Sequence, residues 1–331
     1  MAPPAPPEAS PRAAVPAPAA LSPARRWLYA LKPASWPKLL VPALLGQALG
    51  YAASGRPSPL GLLFGALFTA CDLVFIVLLN DWGDREVDAL KRRLFPEGCS
   101  PKTIPDGILP ARHVLAAGLA AGLALGLTGL AAERWLGRPG FSLAAALTLA
   151  MFASYTFRPL ALNYRGGGEL VEMAGVGVVL PWANAYLQGG AALAPVYLAL
   201  LPGHALLALA GALASGLSDE ISDRAGGKST MTTRFGNAPV RRAIEALVAL
   251  GALAWAAAAA SPAVPWWAAA PAALALARHG RRLRRASAAA VTNAFREQAA
   301  YKAHLHRAAW HASLWLAGAL TLGRALGAGT A

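Results

Sequence analysis

The 331-residue chain is expected to fold as an all-α, polytopic membrane protein with nine transmembrane helices in one bundle. Three observations predict this. Hydrophobic residues make up 56% of the chain and charged residues only 14%, well below the roughly 25% usual in soluble domains. Apolar runs recur at about the 17–25 residues that a helix needs to cross a bilayer. Lys and Arg concentrate in every second connection, the asymmetry that sets membrane orientation.

Residues 1–24 consist largely of Pro, Ala and Ser with almost no aromatics, and read as a disordered tail. No basic segment leads into a short apolar stretch and cleavage site, so a signal peptide is not expected. The membrane domain then covers 25–331. Arg25, Arg26, Lys32 and Lys38 precede the first apolar stretch, 39–53. The others are 60–79, 113–132, 141–157, 171–188, 196–217, 243–260, 264–277 and 309–327. The eighth is short, at the low end of what can span.

The segments 1–38, 80–112, 158–170, 218–242 and 278–308 hold twenty-six Lys and Arg residues. The opposite turns hold only Arg56, Arg134 and Arg138. This bias predicts a cytoplasmic (inner) membrane protein with its N-terminus on the cytoplasmic side. The net charge of +14 is then mostly topological, and nucleic acid is excluded as the leading partner. The run Arg278-His279-Gly280-Arg281-Arg282-Leu283-Arg284-Arg285 reads as an anchor near anionic headgroups, or else as a dock for an acidic partner. Cys71 and Cys99 form neither a disulfide framework nor a zinc pattern, and read as structural.

Acids are scarce. Of sixteen Asp and Glu residues, four fall in Asn80–Asp88 and three in Asp219–Asp223, both on the cytoplasmic side. Positions four apart on a helix differ by about 40° and share a face. Asn80, Asp84 and Asp88 thus form one column of oxygen donors, and Asp219 and Asp223 another. Magnesium keeps several waters and takes one or two carboxylates plus substrate phosphate oxygens. Two facing columns could therefore hold Mg2+ against a diphosphate. Solvated helix ends balancing nearby Arg and Lys are the plainer alternative, but carboxylates at a membrane mouth are functional by default. A transporter would spread its acids through the membrane depth, whereas here Asp72 alone is deep.

Asn80-Asp81-x-x-Asp84-x-x-x-Asp88 and Asp219-x-x-x-Asp223-Arg224-x-x-Gly227-x-x-Thr230 resemble the two signature motifs of the UbiA-type intramembrane aromatic prenyltransferases. The resemblance runs from about Leu31 to the C-terminus. It implies an all-helical fold in which both motifs bind magnesium and the diphosphate of an isoprenoid donor. On that reading Asn80, Asp81, Asp84, Asp88, Asp219 and Asp223 are the metal residues. Lys102-Thr103-Ile104-Pro105-Asp106-Gly107 resembles the basic segment that follows the first motif in this family. Tyr155-Thr156-x-x-Pro159, with Tyr164-Arg165-Gly166-x-Gly168-Glu169 and Gly227-Lys228-x-Thr230, is similar to the 1,4-dihydroxy-2-naphthoate polyprenyltransferase branch. Asn163 stands where many hydroxybenzoate-type members carry Lys, while the Asp84-x-x-x-Asp88 spacing is of the general family type. The implied reaction is Mg2+-dependent prenylation of a dihydroxynaphthoate-like ring in menaquinone-type synthesis. Hydroxybenzoate, a quinolone or another secondary-metabolite ring is the alternative acceptor.

Arg85, Lys102, Arg224 and Lys228 are the expected diphosphate cations, with Arg92 and Arg93 as lesser candidates. Asp84, Asp219, Asp223 and Tyr155 are the expected catalytic residues; Phe157 and Trp182 are further candidates for the wall around an allylic cation. Asp72, Arg158 and Asn163 are acceptor-pocket candidates. Asp72 could orient an acceptor hydroxyl, pair with Arg158, or sit neutral in a structural hydrogen bond. His204, without a neighbouring ligand set, reads as structural.

Overall fold

A computed structural model describes residues 21–96 and 100–327; Cys99 lies outside them. Every regular element in these residues is helical. Helix α1 (Pro23–Leu31) opens with Ser22 as its cap and Pro at its first position, so helix begins two residues inside the stretch expected to be tail. The remaining N-terminal half comprises α2 (Pro37–Ser54), α3 (Pro59–Gly83), α4 (Arg85–Leu94), α5 (Ala111–Trp135), α6 (Phe141–Thr156) and α7 (Leu162–Arg165). A single rod then runs through α8 (Gly168–Ala174), a π-helical turn (Gly175–Val179) and α9 (Leu180–Gly189). The chain continues through α10 (Pro195–Gly216), α11 (Glu220–Ala225), α12 (Met231–Phe235), α13 (Asn237–Ala259), α14 (Trp266–Ser287) and α15 (Phe295–Ala325).

All nine apolar stretches lie in these helices to within one or two residues at each end, but the expected nine spans are not matched one for one. Five helices are long and apolar enough to cross a bilayer: α3, α5, the α8–α9 rod, α10 and α13. Helix α6 is apolar but has only 16 residues. In α14 the arginines from Arg278 onward cut the apolar part short, and α15 carries Arg296, Lys302 and Arg307 ahead of its apolar half. The surface has the inverted pattern of a lipid-facing bundle. Leu119, Leu123, Leu127 and Leu130 of α5 point outward and exposed, while Val114, Gly118, Gly122 and Leu125 pack inward.

The long helices pack into one bundle. Helix α2 packs on α9 and α15, α3 on α5, α5 on α6, and α10 on α13, with α13, α14 and α15 in succession. The α8–α9 rod passes through the middle, touching α2, α3, α6 and α10. Helices α2 and α9 meet backbone to backbone, and a Cβ on Gly46 would stand 2.1 Å from the Pro181 carbonyl oxygen. Only glycine lets the two backbones meet there. Between the rod, α3, α6 and α10 lies a cavity of about 310 Å3.

Candidate active site

The first acidic column sits on a bend. Helix α3 ends at Gly83 and α4 begins at Arg85, with Asp84 between them at φ −91°, ψ 4°. The amide of Asp84 still bonds to the Asn80 carbonyl and that of Asp88 to the Asp84 carbonyl, at 2.9 and 2.8 Å. The i, i+4, i+8 relation therefore survives the bend. Gly83 allows it to seat, since a Cβ there would lie 2.5 Å from Thr156 Cγ2. The second column follows α10: the Asp223 amide bonds to the Asp219 carbonyl at 2.8 Å.

The two columns meet across one end of the cavity, which Asn80, Asp84, Asp219, Asp223, Lys228 and Thr230 line. Deeper in, the walls turn apolar, with Phe68, Ile76 and Val77 of α3 facing Phe152 of α6 and Val176, Val179 and Leu180 of the rod. Tyr155 lines the cavity and stacks on Phe152 at 5.6 Å between centroids. Thr148 and Asp72 add polarity to the deep part; Asp72 is 3% exposed and its Oδ1 has no hydrogen-bond partner.

Lysines hold the acids. Lys228 Nζ donates to Asp84 Oδ2 at 2.9 Å, and Asn163 Nδ2 donates to Asp84 Oδ1 at 3.2 Å. Lys102 Nζ is 2.5 Å from Asp88 Oδ1. Lys91 pairs with Asp219 and also donates to the Ser218 carbonyl at 2.8 Å. Lys32, in the link after α1, pairs with Asp81, whose other oxygen accepts from Thr103 at 2.5 Å. Asp81 thus ties the loop after Ser100 to the α1–α2 link and is not part of the cavity wall. Asp106 performs a similar task with a bidentate pair to Arg92 at 2.8 Å and a 2.6 Å bond from Tyr29.

This packing splits the two acids of the second column. Burial raises the Asp219 carboxyl, but Lys91, Lys102 and Lys228 outweigh it and hold the group well below the usual carboxylate range. Burial also raises Asp223; Lys228 opposes the rise, Asp219 and Asp84 add to it, and the carboxyl reaches about 7. Burial lifts the Asp88 carboxyl despite Lys102. Burial alone would lower Lys102 and Lys228, yet their carboxylate neighbours raise both. The cations are firmly charged.

Several expected residues stay outside. Arg224 is 61% exposed and reaches only Glu220, at 3.4 Å. Arg85 lies over Trp82 at 4.5 Å and bonds to its carbonyl. Arg93 is exposed, and Arg92 serves Asp106. Arg158 is exposed in the turn after α6 and does not pair with buried Asp72, because the apolar depth of the cavity offers no path for a guanidinium. Phe157 packs on Trp82 at 5.7 Å, outside the cavity, and Trp182 donates to the Ala192 carbonyl in the turn before α10. Asn163 is at the mouth beside Asp84. His204 is buried against Ser313 at 3.3 Å.

Hard oxygen donors at the mouth fit magnesium in kind. Among the described residues no three acidic, Cys or His side chains gather closely enough to cage an ion alone. That suits an ion that completes its shell with waters and substrate phosphates.

The profile of the UbiA prenyltransferase family matches residues 39–305, most of the chain and both acidic columns. The chain belongs to the UbiA prenyltransferase family. The 1,4-dihydroxy-2-naphthoate octaprenyltransferase of Escherichia coli (strain K12) is 26% identical over 228 residues, 67% of this chain and 72% of that protein. A UbiA homolog from Archaeoglobus fulgidus bound to DMAPP and Mg2+ superposes with a TM-score of 0.65 at 17% identity, covering 87% of this chain and 99% of its own. The same homolog bound to GPP and Mg2+ gives 0.65 at 18% identity and the same coverage. At these identities the likeness carries the fold. As a UbiA-family member the chain is a prenyltransferase and an integral membrane protein.

Within this UbiA bundle, sequence reasoning overlooked Lys32, Lys38 and Lys91. Lys91 had a signal, because Asp84, Asp88 and Lys91 are spaced i, i+4, i+7 on one face. A broader signal covers all three: only six of the thirty cationic residues are lysines, namely 32, 38, 91, 102, 228 and 302. Lys32, Lys38 and Lys228 line the cavity, Lys91 bonds to Asp219 and Lys302 to Ser215 of its wall, and Lys102 bonds to Asp88 of the first column.

Proposed function

We propose that the protein transfers the prenyl group of an isoprenoid diphosphate to an aromatic acceptor, with a dihydroxynaphthoate-like ring as that acceptor and Mg2+ as cofactor. The observation that carries this is the meeting of both acidic columns, with their lysines, at the polar end of a cavity whose deeper walls are largely apolar. Asn80, Asp84, Asp88, Asp219 and Asp223 would hold the metal. When bound, magnesium supplies Lewis-acid neutralisation of the leaving diphosphate.

This chain's residues do the rest. Lys102 and Lys228, with Lys32 and Lys91 close by, place fixed positive charge where the diphosphate gathers charge as it departs. The Tyr155 face, stacked on Phe152, stabilises the allylic cation. The apolar walls exclude the water that would otherwise capture it. Asp72 offers a free oxygen to an acceptor hydroxyl. Asn163, with the Tyr164–Glu169 segment behind it, fixes Asp84. The naphthoate reading draws on that segment and on the likeness to the Escherichia coli enzyme. On this reading the protein serves menaquinone-type quinone synthesis, and the Lys and Arg bias of its connections supports a cytoplasmic membrane location with the polar mouth toward the cytoplasm.

Purified protein given Mg2+, a polyprenyl diphosphate and 1,4-dihydroxy-2-naphthoate should yield a prenylated naphthol by mass spectrometry. Product from hydroxybenzoate or a quinolone alone refutes the acceptor assignment. Asp84→Ala and Asp219→Ala should insert normally and lose Mg2+-dependent turnover; full activity in either refutes the metal site.

A further inference from the structure

Ser215 and Lys302 form a partly buried polar pair at the cavity wall that the proposed chemistry does not use. Ser215 stands four residues before Asp219 and eight before Asp223 and lines the cavity. It lies in the last turn of α10, just ahead of the second acidic column. Its Oγ accepts a hydrogen bond from Lys302 Nζ at 3.1 Å and donates to the Gly211 carbonyl at 3.2 Å. Lys302 belongs to the first turns of α15, ahead of the apolar stretch 309–327. Among the described residues no carboxylate lies within 4 Å of its ammonium.

Lys302 is thus the one lysine of the six that touches the cavity wall without a carboxylate against it. Around it are Lys38 of α2 and Lys91 of α4, Glu172 of α8, Asp219 and, one turn on, His306. Burial, reinforced by the two lysines and opposed by the two acids, lowers its ammonium to about 8. An amine near that value can exist as a free base at working pH, as a proton acceptor must.

We propose that Ser215 and Lys302 form the proton exit of the cavity, Ser215 taking the proton that the aromatic acceptor sheds and Lys302 storing it. The proposal rests on the prenyl-transfer reading. With Lys302 neutral, the Ser215 hydroxyl turns from Gly211 toward Nζ. The acceptor O–H bond breaks, its proton passing to Ser215 Oγ while the Ser215 proton moves onto the Nζ lone pair. The ring carbon forms its bond to the allylic carbon as the carbon–oxygen bond to the diphosphate breaks, the electron pair leaving with the diphosphate. The ring hydrogen at the new bond then migrates to the oxygen and restores the phenol. One proton per turnover remains on Lys302, a partly buried residue, and returns from it to water.

A purely structural Lys302, tying α10 to α15, predicts different behaviour. Arginine keeps the charge and can still donate to Ser215, but it does not deprotonate. Wild-type kcat should rise with pH through a limb near 8 for whichever aromatic of a panel is prenylated. Lys302→Arg should lose that limb and at least about tenfold in kcat, with KM for the donor within twofold and unchanged thermal unfolding in detergent. Wild-type kcat and pH profile in Lys302→Arg overturn the relay. A second measurement needs no acceptor: acetylation of Lys302 across pH 6–11, read by mass spectrometry, should be half-maximal near pH 8. A midpoint near the ordinary ~10.4 overturns the relay on its own. Failure of the wild type to prenylate any aromatic overturns the parent reading, and the relay with it.

Discussion

Lys228→Met is the sharpest test of the charge arrangement at the mouth. Lys228 Nζ lies 2.9 Å from Asp84 Oδ2, and the side chains are 9% and 12% exposed. At that separation, with an effective dielectric of about 20, the attraction is roughly 6 kcal/mol. Desolvation of both ions offsets much of it. Removing the lysine alone leaves Asp84 buried with Asn163 as its remaining partner, and breaking such a pair costs about 3–5 kcal/mol. The Asn163 bond places the expected loss at the low end, about 3 kcal/mol. Asp84→Asn with Lys228→Met removes both charges and should recover most of the loss. Denaturant unfolding of the purified protein in detergent reads both values. Turnover should fall about 10²–10³-fold in the single variant and stay low in the double one. A cost below about 1 kcal/mol for Lys228→Met, or additive losses in the double variant, would refute a buried, mutually dependent pair.

Arg85→Ala and Arg224→Ala should leave kcat/KM within about threefold, since exposed ion pairs contribute little, whereas Lys91→Met should lower it about a hundredfold. The pH dependence of stability should carry the mark of Asp223. Its carboxyl is raised to about 7, so the folded state holds the proton more tightly than the unfolded chain, and stability falls as pH rises from about 4 through 7. Between pH 6 and pH 8 the metal-free protein should lose stability on the order of 1 kcal/mol through this group, and Asp223→Asn should flatten that part of the profile. Gly46→Val drives a Cβ to 2.1 Å from the Pro181 carbonyl oxygen and should abolish the yield of monodisperse protein, measured by size-exclusion chromatography.

The helices were legible because hydropathy in a bilayer is a one-dimensional property of the chain. Each apolar stretch became helix, and Asn80, Asp84 and Asp88 kept their common face through the bend at Asp84. Spacing along a helix also carried Asp219 with Asp223. What lay beyond reach was set by loops. Lys32 arrives at Asp81 from 49 residues away and Lys91 at Asp219 from 128, contacts that no local period encodes. Arg224 misled for the opposite reason. It sits inside the second motif, yet in α11 it follows Asp223 by one residue, about 100° round the helix, and so faces out toward Glu220. Asp72 and Arg158 failed to pair because a deep carboxylate and an exposed turn share no level of the bundle.

The division of labour between the two basic side chains follows from their shapes. Arginine is a rigid, always-charged fork, suited to fixed pairs such as Arg92 with Asp106, to backbone carbonyls such as Leu187, where Arg138 bonds, and to headgroups. Twenty-four of the thirty cations are of this kind, and among the described residues none of them lines the cavity. Lysine is a compact charge on a flexible stem that can exchange one oxygen partner for another and, when buried, can lose its proton. On the proposed reaction each carboxylate would give its lysine up to a phosphate on substrate binding and take it back afterward, which needs the second kind. Arginine at position 91 or 102 would preserve charge yet bind its carboxylate in a two-pronged grip. Lys91→Arg and Lys102→Arg should therefore hold stability while slowing turnover; wild-type turnover in both would show that charge alone, and not its mobility, governs the site.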